Sequence, residues 1–490
     1  MHVEHRQRTT ITRHRAIQLG VAVVLGLAAG GCSASPDAPV VPTQLVLTTN
    51  AAGAASGAAF TTQPVVAVRD AAGNTVTSDV SAVTMSVSAG LTVFGSATAT
   101  ASRGIATFRG VGIVGPVGAG YTLTFASGAL TPATQSIALP VTFTALTAGL
   151  FHSCALTSAD AAYCWGLGGD GQIGDGATTT RLVPVAVQGG GLFTSLTAGA
   201  YHTCGLTSVG AAFCWGRNLN GQLGDGTMAN RLTPTAVRGG LAFAALAAGA
   251  ASTCGLTGAG AVYCWGFNDD GELGDGTTTQ RLTPVAVRSA LAFTSLTTGD
   301  YHGCGLTSAG AAHCWGFVDA GGLGDGTTLT RLTPVAVLGG LVFTGMTAGG
   351  YHTCGRTSVG AAFCWGSNAG GELGDGTLSR RTIPVAVKGG LVVIALAAGN
   401  SHVCALTNAG AAFCWGFNSS GQLGDGTAIA RPTPVAVQSE LVFAAVAAGG
   451  FHTCGLTRAG GAYCWGSNAL GEVGDGTTTN RLVPVGVVQP

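Results

Sequence analysis

A chain of 490 residues, 47% of them apolar, is long and hydrophobic enough for two or three folded domains, which argues against a disordered protein. Only 9% of the residues are charged and 82 are glycines, a composition typical of short strands joined by tight turns, so an all-β protein is predicted. The formal net charge is zero, and without a basic surface the chain is not expected to bind nucleic acid.

Residues 1–31 are predicted to be a lipoprotein signal peptide. Arginines precede an apolar run from Ala16 to Ala29 that is too short for a stable membrane span. The sequence Ala29-Gly30-Gly31-Cys32 resembles the lipobox of bacterial lipoproteins, in which the peptide is cut before the cysteine and the thiol is lipidated. Ala29 stands where the family prefers Leu. The alternative is an ordinary cleaved signal with an incidental cysteine.

The cysteine count favours lipidation of Cys32. All the other cysteines, of 15 in the chain, lie in regularly spaced pairs further along. Because Ser33 rather than Asp follows Cys32, the resemblance implies a bacterial outer-membrane lipoprotein, facing the periplasm or the cell surface. Residues 32–42 are then a short tether.

Residues 43–140 contain no Cys, Trp or His and are predicted to form a separate small β-sandwich. The β-rich runs are 44–48, 64–68, 83–87, 104–108 and 121–125. The turn 70–74 and the segment 118–124 resemble bacterial immunoglobulin-like domains of adhesins, which implies a spacer or adhesion module. No cluster of titratable side chains in this segment points to chemistry.

Residues 141–490 are seven copies of one 50-residue unit. One copy, residues 193–237, reads as four short strands, named A to D in chain order. All the tryptophans recur at this interval, each between a Cys and a Gly, as Trp165, Trp215, Trp265, Trp315, Trp365, Trp415 and Trp465.

The signatures within each unit run Ala-Gly-x-x-His, Cys-Trp-Gly-x-Asn, Gly-Gln-Leu-Gly and Pro-x-x-Val. This order resembles the regulator-of-chromosome-condensation repeat, which implies a seven-bladed β-propeller. Independently, four-stranded sheets with two apolar faces must stack on neighbours, and a closed ring leaves no such face exposed. The predicted fold class is therefore all-β, a seven-bladed β-propeller preceded by a small immunoglobulin-like β-sandwich. Whether the last strand completes its own blade or pairs with the first blade stays open.

The paired cysteines are predicted to be disulfides within each blade. If residues 208–210 form a three-residue hairpin turn, Cys204 lies directly opposite Cys214 at bonding distance. Other copies keep Gly at the last turn position, or Asp160 in the first copy, which also tolerates the left-handed conformation. The predicted bonds are Cys154–Cys164, Cys204–Cys214, Cys254–Cys264, Cys304–Cys314, Cys354–Cys364, Cys404–Cys414 and Cys454–Cys464.

The alternative for these cysteines is a metal site, because His152, Cys154 and Cys164 offer three ligands. An exported chain meets an oxidising compartment, and directly facing thiols cannot easily form a tetrahedron, so no metal is expected. The repeated histidines are instead expected to tie strand B to neighbouring backbone. They are His152, His202, His302, His352, His402 and His452, with Ser252 in the third copy and His313 outside the pattern.

The Gly-Asp-Gly turns raise the alternatives of phosphate and calcium binding. No lysine follows these glycines, and only Asp269, Asp270, Glu272 and Asp275 approach a calcium loop, so a structural turn is predicted. Each turn Asp, from Asp175 to Asp475, is followed six residues later by an Arg, which predicts an ion pair bracing the C–D loop.

The tryptophans are expected to be buried between blades, with the indole N–H bonded to a loop; the alternative is a sugar-stacking platform. No Ser-His-Asp, paired-carboxylate or thiolate arrangement stands out from the repeat background. The chain is therefore predicted to be no enzyme and to need no cofactor.

Function is expected where the copies differ. With strands running alternately up and down, the A–B and C–D loops emerge on one face, and these loops vary. Aromatic residues and arginine are the usual anchors of protein interfaces. The predicted partner-binding residues are Phe151, Tyr201, Arg217, Phe267, Tyr301, Phe317, Tyr351, Phe417 and Phe451. The alternative is that these side chains only cap the blade ends.

The first functional hypothesis is a non-enzymatic exported protein that binds a protein partner through this face. The second is a secreted enzyme inhibitor resembling the β-lactamase-inhibitor propeller built from the same repeat, and the third is a lectin with repeated sugar sites. Nucleotide exchange on a small GTPase, known for eukaryotic relatives, belongs to the wrong compartment for an exported chain.

Overall fold

The computed structural model describes residues 40–54, 58–88, 91–114, 120–189, 191–317 and 320–490. Within these residues the chain forms 38 β-strands and no helix, which confirms the all-β class. The described residues therefore contain no helix that is long and apolar enough to cross a membrane. The predicted signal peptide, Cys32 and most of the predicted tether lie outside the described residues.

The first ten strands form three small sheets, in the orders β1-β3-β7, β10-β9-β4-β6 and β2-β8-β5. All of the described strand pairs within these sheets are antiparallel. The strands are β1 (Gln44–Thr49), β2 (Ala58–Ala59), β3 (Val65–Arg69), β4 (Ala82–Val87), β5 (Thr92–Phe94), β6 (Thr98–Thr100), β7 (Ile105–Thr107), β8 (Gly112–Val114), β9 (Gly120–Ala126) and β10 (Ala133–Ala138).

These three sheets share one hydrophobic core. Val83 and Met85 of β4 are buried while their neighbours along the strand are exposed, which is the alternation of a half-buried strand. Phe108 packs edge-to-face on Phe125, with ring centroids 5.4 Å apart. The five β-rich runs correspond to β1, β3, β4, β7 and β9. The resemblance of this segment to immunoglobulin-like domains stays a prediction.

Residues 143–486, as far as they are described, form seven four-stranded antiparallel sheets whose strands follow one another in chain order. Each sheet contains one copy of the 50-residue unit and is called a blade from here on.

The strands of the blades, in the order A to D, are as follows. Blade 1 has β11 (Phe143–Ala148), β12 (His152–Thr157), β13 (Ala162–Gly166) and β14 (Arg181–Ala186); blade 2 has β15 (Ser195–Ala198), β16 (His202–Leu206), β17 (Ala212–Gly216) and β18 (Arg231–Ala236). Blade 3 has β19 (Phe243–Ala248), β20 (Ser252–Thr257), β21 (Val262–Gly266) and β22 (Arg281–Ala286); blade 4 has β23 (Phe293–Thr298), β24 (His302–Thr307), β25 (Ala312–Gly316) and β26 (Arg331–Ala336). Blade 5 has β27 (Phe343–Ala348), β28 (His352–Thr357), β29 (Ala362–Gly366) and β30 (Arg381–Ala386); blade 6 has β31 (Val393–Ala398), β32 (His402–Thr407), β33 (Ala412–Gly416) and β34 (Arg431–Ala436). Blade 7 has β35 (Phe443–Ala448), β36 (His452–Thr457), β37 (Ala462–Gly466) and β38 (Arg481–Gly486).

A disulfide joins strands B and C within each blade. Cys204 lies directly opposite Cys214 in the register of β16 and β17, and their Cα atoms are 4.1 Å apart. The turn between these strands has a positive φ of 80° at Gly210 and of 58° at Asp160 in blade 1, the left-handed conformation that the sequence required. Each blade of the described structure carries its predicted disulfide.

The C–D loop is braced by an ion pair. In blade 2, Arg231 donates to Asp225 from Nη2 at 2.6 Å, and Asn218 donates to the other carboxylate oxygen at 3.1 Å. Burial alone raises the pKa of Asp225, but hydrogen bonds from Thr227 and Arg231 hold it below its ordinary value. The predicted brace is confirmed by the equivalent pairs Asp175–Arg181, Asp275–Arg281, Asp325–Arg331, Asp375–Arg381, Asp425–Arg431 and Asp475–Arg481.

Neighbouring blades are joined by a hydrogen-bonded set that is complete at four of the seven junctions of the ring. The carbonyl of Gln172, in the C–D loop of blade 1, accepts from Trp215 Nε1 at 3.0 Å and from Thr203 Oγ1 at 2.9 Å in blade 2. His152 Nε2 lies 2.8 Å from the same hydroxyl. Because that hydroxyl gives its one proton to the carbonyl, Nε2 must carry a hydrogen and donate it. The tryptophan rings are fully buried, as predicted.

The histidine partner is a hydroxyl on the next blade rather than the backbone group that was predicted. The reason is that strand B of a blade faces strand B of the next blade at a position that is Thr or Ser in five of the seven blades. The equivalent pairs are His202–Thr253, His302–Thr353, His402–Thr453 and His452–Ser153. Val403 takes the hydroxyl position opposite His352, whose buried Nε2 has no hydrogen-bond partner within the described residues.

The last strand completes its own blade, which answers the question that the sequence left open. β38 pairs with β37, and the ring closes because blade 7 contacts blade 1 as any blade contacts the next. Trp165 Nε1 donates to the carbonyl of Glu472 at 2.8 Å, and Gly450 N donates to the carbonyl of Gly149 at 3.1 Å. The ring is therefore closed by the packing of blade 7 against blade 1, and no sheet contains strands of both blades.

Candidate binding face

The A–B and C–D loops lie together on one face of the propeller, as the antiparallel strand order predicts. The first residue of each C–D loop is bonded to the A–B loop of the same blade. Arg217 N donates to the carbonyl of Tyr201 at 2.9 Å, and Phe317 N donates to that of Tyr301 at 3.0 Å. The backbone therefore holds the side chains at these two positions of a blade next to each other.

Eight of the nine predicted partner-binding side chains fall into three clusters on this face, which we call the aromatic face. Cluster 1 contains Phe151, Tyr201 and Arg217; cluster 2 contains Tyr301, Phe317 and Tyr351; cluster 3 contains Phe417 and Phe451. Phe267 stands apart, because the A–B loop of its blade carries Ala251 where other blades carry an aromatic residue.

The clusters have the geometries of favourable ring contacts. The Arg217 guanidinium carbon lies 5.1 Å from the ring centroid of Tyr201, which is a cation–π contact. The rings of Tyr301 and Tyr351 stack with centroids 5.1 Å apart, across the boundary between blades 4 and 5. Phe417 and Phe451 meet edge-on at 6.4 Å. All nine predicted side chains are half-buried, so each is held in place and still presents surface to solvent.

The C–D loops also expose apolar side chains that the sequence analysis did not single out. Each is apolar at a position where other copies have a small or polar residue, and this departure was the available signal. They are Leu219, Met228, Leu329, Leu378 and Ile429.

The A strands of all seven blades line a central channel with a volume of about 270 Å³. Most of its lining residues are Gly, Ala and Thr. Six residues that occupy equivalent positions in the 50-residue units, each directly before the A–B loop position of Phe151 or its counterpart, line its mouth on the aromatic face. They are Leu150, Ala200, Asp300, Gly350, Asn400 and Gly450.

Two of these mouth residues are bonded to each other. Asn400 Nδ2 donates to Asp300 Oδ2 at 2.7 Å, joining blades 4 and 6. Burial raises the pKa of Asp300 to about 6. Sequence reasoning missed this pair, although a carboxylate at a position that is uncharged in the other six copies was a readable signal.

The alternative sites weighed from the sequence receive no structural support. The cysteine sulfurs bond to each other and so offer no thiolate to a metal. In the loop 269–275, Asp275 pairs with Arg281, and Glu272 Oε2 accepts from the backbone N–H of Asp270. No group of three His, Cys, Asp or Glu in the described part of the chain is arranged to hold a metal ion. The buried tryptophans offer no surface on which a sugar could stack.

Comparison with known families accounts for this architecture. Two models of the "regulator of chromosome condensation (RCC1) repeat" match the chain, one at residues 160–206, 210–256, 259–306, 360–406 and 409–456. The other matches residues 143–172, 193–222, 243–272, 393–422 and 443–472, so that together they span more than half of the sequence. The chain belongs to the RCC1 repeat family. The resemblance read from the signatures is thereby confirmed for the propeller.

Three solved structures are similar in fold to this chain. Human WBSCR16 is 22% identical with a TM-score of 0.60, over 68% of this chain and 92% of that one. Yeast RCC1 (Prp20) bound to Kap60 is 23% identical with a TM-score of 0.60, over 71% and 85%. Prp20p from Saccharomyces cerevisiae, in a structure described with its binding to Gsp1p and histones, is 24% identical with a TM-score of 0.60, over 71% and 88%. No curated protein sequence matches the chain.

Proposed function

We propose that this RCC1-repeat protein is a non-enzymatic binding protein that engages a protein partner through its aromatic face. The observation that carries the proposal is the gathering of the varying aromatic side chains into three half-buried clusters on one face. Pre-positioned aromatic rings bury large areas on binding and lose little side-chain entropy, which makes them efficient anchors of an interface.

The fold supports a protein partner in general terms. Yeast RCC1 has been solved with Kap60, and its binding to Gsp1p and histones has been described. The composition of cluster 1 also supports a protein partner, because Tyr and Arg are among the residues most enriched at the energetic centres of protein interfaces.

The aromatic face is tested by the double variant Tyr301→Ala/Phe317→Ala, which removes two rings of cluster 2. We expect capture of the partner from the envelope fraction of the producing organism to fall by about tenfold or more, the loss typical of central aromatic anchors. The matched control is Val209→Ser/Val359→Ser, at B–C turns on the opposite face where the side chains are 79% and 74% exposed.

Capture is measured by quantitative mass spectrometry of the retained proteins. Equal capture by the wild type, the control and the cluster 2 variant refutes a role for this face. Purified β-lactamases and a glycan array complete the test. Retention of β-lactamase alone identifies the inhibitor alternative, and binding to glycans alone identifies the lectin and excludes both readings with a protein partner.

We further propose that the chain is exported and anchored by a lipid on Cys32 at the bacterial outer membrane. The buried disulfides support this compartment, because intrachain disulfides persist in the oxidising space outside the cytoplasm.

Replacing Cys32 by Ala is expected to remove the lipid from the protein, because the thiol is the only point of lipid attachment in the proposal. Intact-mass measurement of the protein checks this. Ser33→Ala is the control and is expected to keep the lipid mass. An unmodified wild-type mass contradicts the anchor.

A further inference from the structure

The boundary between blades 3 and 4, called the seam from here on, keeps only one of the four hydrogen bonds that cross the boundary between blades 1 and 2. Those four are the three bonds of the set described above and a backbone bond at the channel mouth, from Leu150 N to the carbonyl of Gly199 at 3.3 Å. At the seam, Trp315 Nε1 donates to the carbonyl of Glu272 at 2.9 Å. The other three bonds are absent among the residues that the structure describes.

Two departures from the repeat remove the side-chain bonds of the seam together. Ser252 stands where the other six copies have His, and Gly303 stands where five copies have Thr or Ser. Because the imidazole and the hydroxyl are both missing, neither is left buried without a partner. The third missing bond belongs to the backbone: Ala250 N donates to no carbonyl of blade 4, whereas the equivalent residue donates to the next blade at the other six boundaries.

The two other incomplete boundaries keep more of these bonds. Between blades 4 and 5 only the tryptophan bond is missing, because the Thr353 hydroxyl bonds to both His302 and the carbonyl of Gly322. Between blades 5 and 6 the tryptophan bond and the backbone bond at the channel mouth are both present. The seam is therefore the boundary with the fewest of these bonds in the described part of the ring.

The opposite face holds the two blades together at the seam. The D–A loop 287–292 joins them covalently there, and Phe293 N donates to the carbonyl of Gly260, in the B–C turn of blade 3, at 2.9 Å. A backbone bond at the outer rim, present at all seven boundaries, also crosses the seam. Apolar packing closes the rest, because Trp315 of blade 4 is fully buried against residues of blade 3.

A boundary with a covalent hinge on one face and few bonds on the other opens first from the face with few bonds. Native proteins open locally where stabilising contacts are fewest. One net hydrogen bond favours the closed state by roughly twofold to tenfold. With three bonds fewer, the open state of the seam is expected to be populated about tenfold or more above that of the boundary between blades 1 and 2.

We propose that the propeller opens reversibly at the seam, with the D–A loop 287–292 as the hinge, and that this opening changes the distance between Phe267 and cluster 2. The opening itself does not rest on the proposed function; only its use in docking does. Phe267 begins the C–D loop of blade 3, and Tyr301 of cluster 2 lies in the A–B loop of blade 4. A partner that contacts both residues spans the seam and holds it closed.

The buried tryptophans provide one probe for each boundary, because each indole lies between its own blade and the preceding one. The test follows hydrogen exchange of the indole Nε1–H groups of the full chain by NMR, with signals assigned by single Trp→Phe variants. Trp315 reports on the seam. The four complete boundaries are reported by Trp165, Trp215, Trp265 and Trp465.

We expect the indole of Trp315 to exchange about tenfold or more faster than the four indoles at complete boundaries. Trp415, at the boundary between blades 5 and 6, is expected to exchange at an intermediate rate, because that boundary has lost two bonds and the seam has lost three. Equal protection of Trp315 and the four reference indoles overturns the proposal.

Two reciprocal substitutions test whether these bonds control the opening of a boundary. Val403→Thr supplies a hydroxyl to the unpartnered histidine of blade 5 and is expected to slow the exchange of Trp415 about threefold or more. Thr253→Val removes the hydroxyl between blades 2 and 3 and is expected to raise the exchange rate of Trp265 to about that of Trp415. Val and Thr have the same branched shape, so both variants are expected to fold. Trp215 is the internal control, and unchanged exchange of Trp415 and Trp265 refutes control by these bonds.

Use of the seam in docking is tested with the protein that the wild type retains from the envelope fraction. Adding this protein is expected to slow the exchange of Trp315 about tenfold and to leave that of Trp215 unchanged. Exchange of Trp315 that stays fast in the complex refutes the use in docking, while fast exchange in the free chain still supports the opening. If no protein is retained, the proposed function fails, and the exchange rates of the free chain alone decide whether the seam opens.

Discussion

The free energy of unfolding is expected to fall as the pH falls from about 6.5 to about 4, because the ring of histidines is buried in the neutral form. Burial lowers the pKa of these histidines from 6.5 to about 3 or about 4, for His152, His202, His302, His352, His402 and His452. Below pH 6.5 these histidines bind protons in the unfolded chain but stay neutral in the folded chain. Each histidine therefore removes up to about 1.4 kcal/mol of stability per pH unit.

Four carboxyls act in the opposite direction. Burial raises the pKa of Glu272 to about 7 and of Asp300 to about 6, and it also raises the pKa of Glu372 and Glu472. As the pH falls, these carboxyls bind protons at a higher pH in the folded state than in the unfolded state. They therefore offset part of the loss of stability that the histidines cause. The six histidines outweigh them, and a net uptake of roughly two or more protons on unfolding is expected near pH 5.

Urea denaturation followed by tryptophan fluorescence at several pH values measures this dependence, since the indoles are buried. The control is His202→Ser, which installs the residue that blade 3 has at Ser252 and must reduce the proton uptake by about one. A denaturation midpoint that does not change between about pH 7 and pH 5 contradicts the assignment of neutral buried histidines.

The disulfides are expected to decide whether the propeller folds at all. Closing the loop between residues ten apart in sequence stabilises by about 3 kcal/mol on the chain-entropy model. Seven such bonds amount to about 20 kcal/mol, more than the whole stability of about 5 to 15 kcal/mol that is typical of a protein domain. Protein kept reduced during synthesis is therefore expected to stay unfolded or to aggregate.

A single bond is tested with Cys204→Ala/Cys214→Ala in oxidised protein. We expect a loss of about 3 kcal/mol, with a small further loss from the vacated sulfur volume. Val209→Ala, in the turn of the same hairpin, is the control, because its exposed side chain packs little. More than one free thiol per denatured, unreduced wild-type chain refutes the pairing, because Cys32 lies outside the seven pairs. A fully folded reduced protein contradicts the expected dependence of folding on the disulfides.

Much of the fold was readable because its determinants are short in sequence. The hairpin that places Cys204 opposite Cys214 closes within ten residues, and its turn residue Gly210 shows the required positive φ. The polar strand β10 in the first segment was missed, because its sequence ATQSIA lacks the apolar run that marks a strand.

The sequence predicted which residues belong to the aromatic face, but it did not predict which of their side chains contact each other. Strand direction places the A–B and C–D loops together, and this part of the prediction is confirmed by the bonds between them. Which rings meet depends on the neighbouring blade: Tyr301 stacks on Tyr351, whereas Phe267 has no aromatic neighbour because Ala251 stands beside it.

By itself the sequence determined the fifty-residue period, the strands of each blade, the pairing of the cysteines and the brace between Asp225 and Arg231, because each depends on contacts within one unit. Only the tertiary structure decided the joints between units: the hydroxyl that receives His152, the closure of blade 7 on blade 1, and the meeting of Asp300 with Asn400. Contacts within a hairpin are set by turn chemistry and strand register. Contacts between side chains fifty to three hundred residues apart are set by how seven sheets pack and close into a ring. No local pattern of residues determines this geometry.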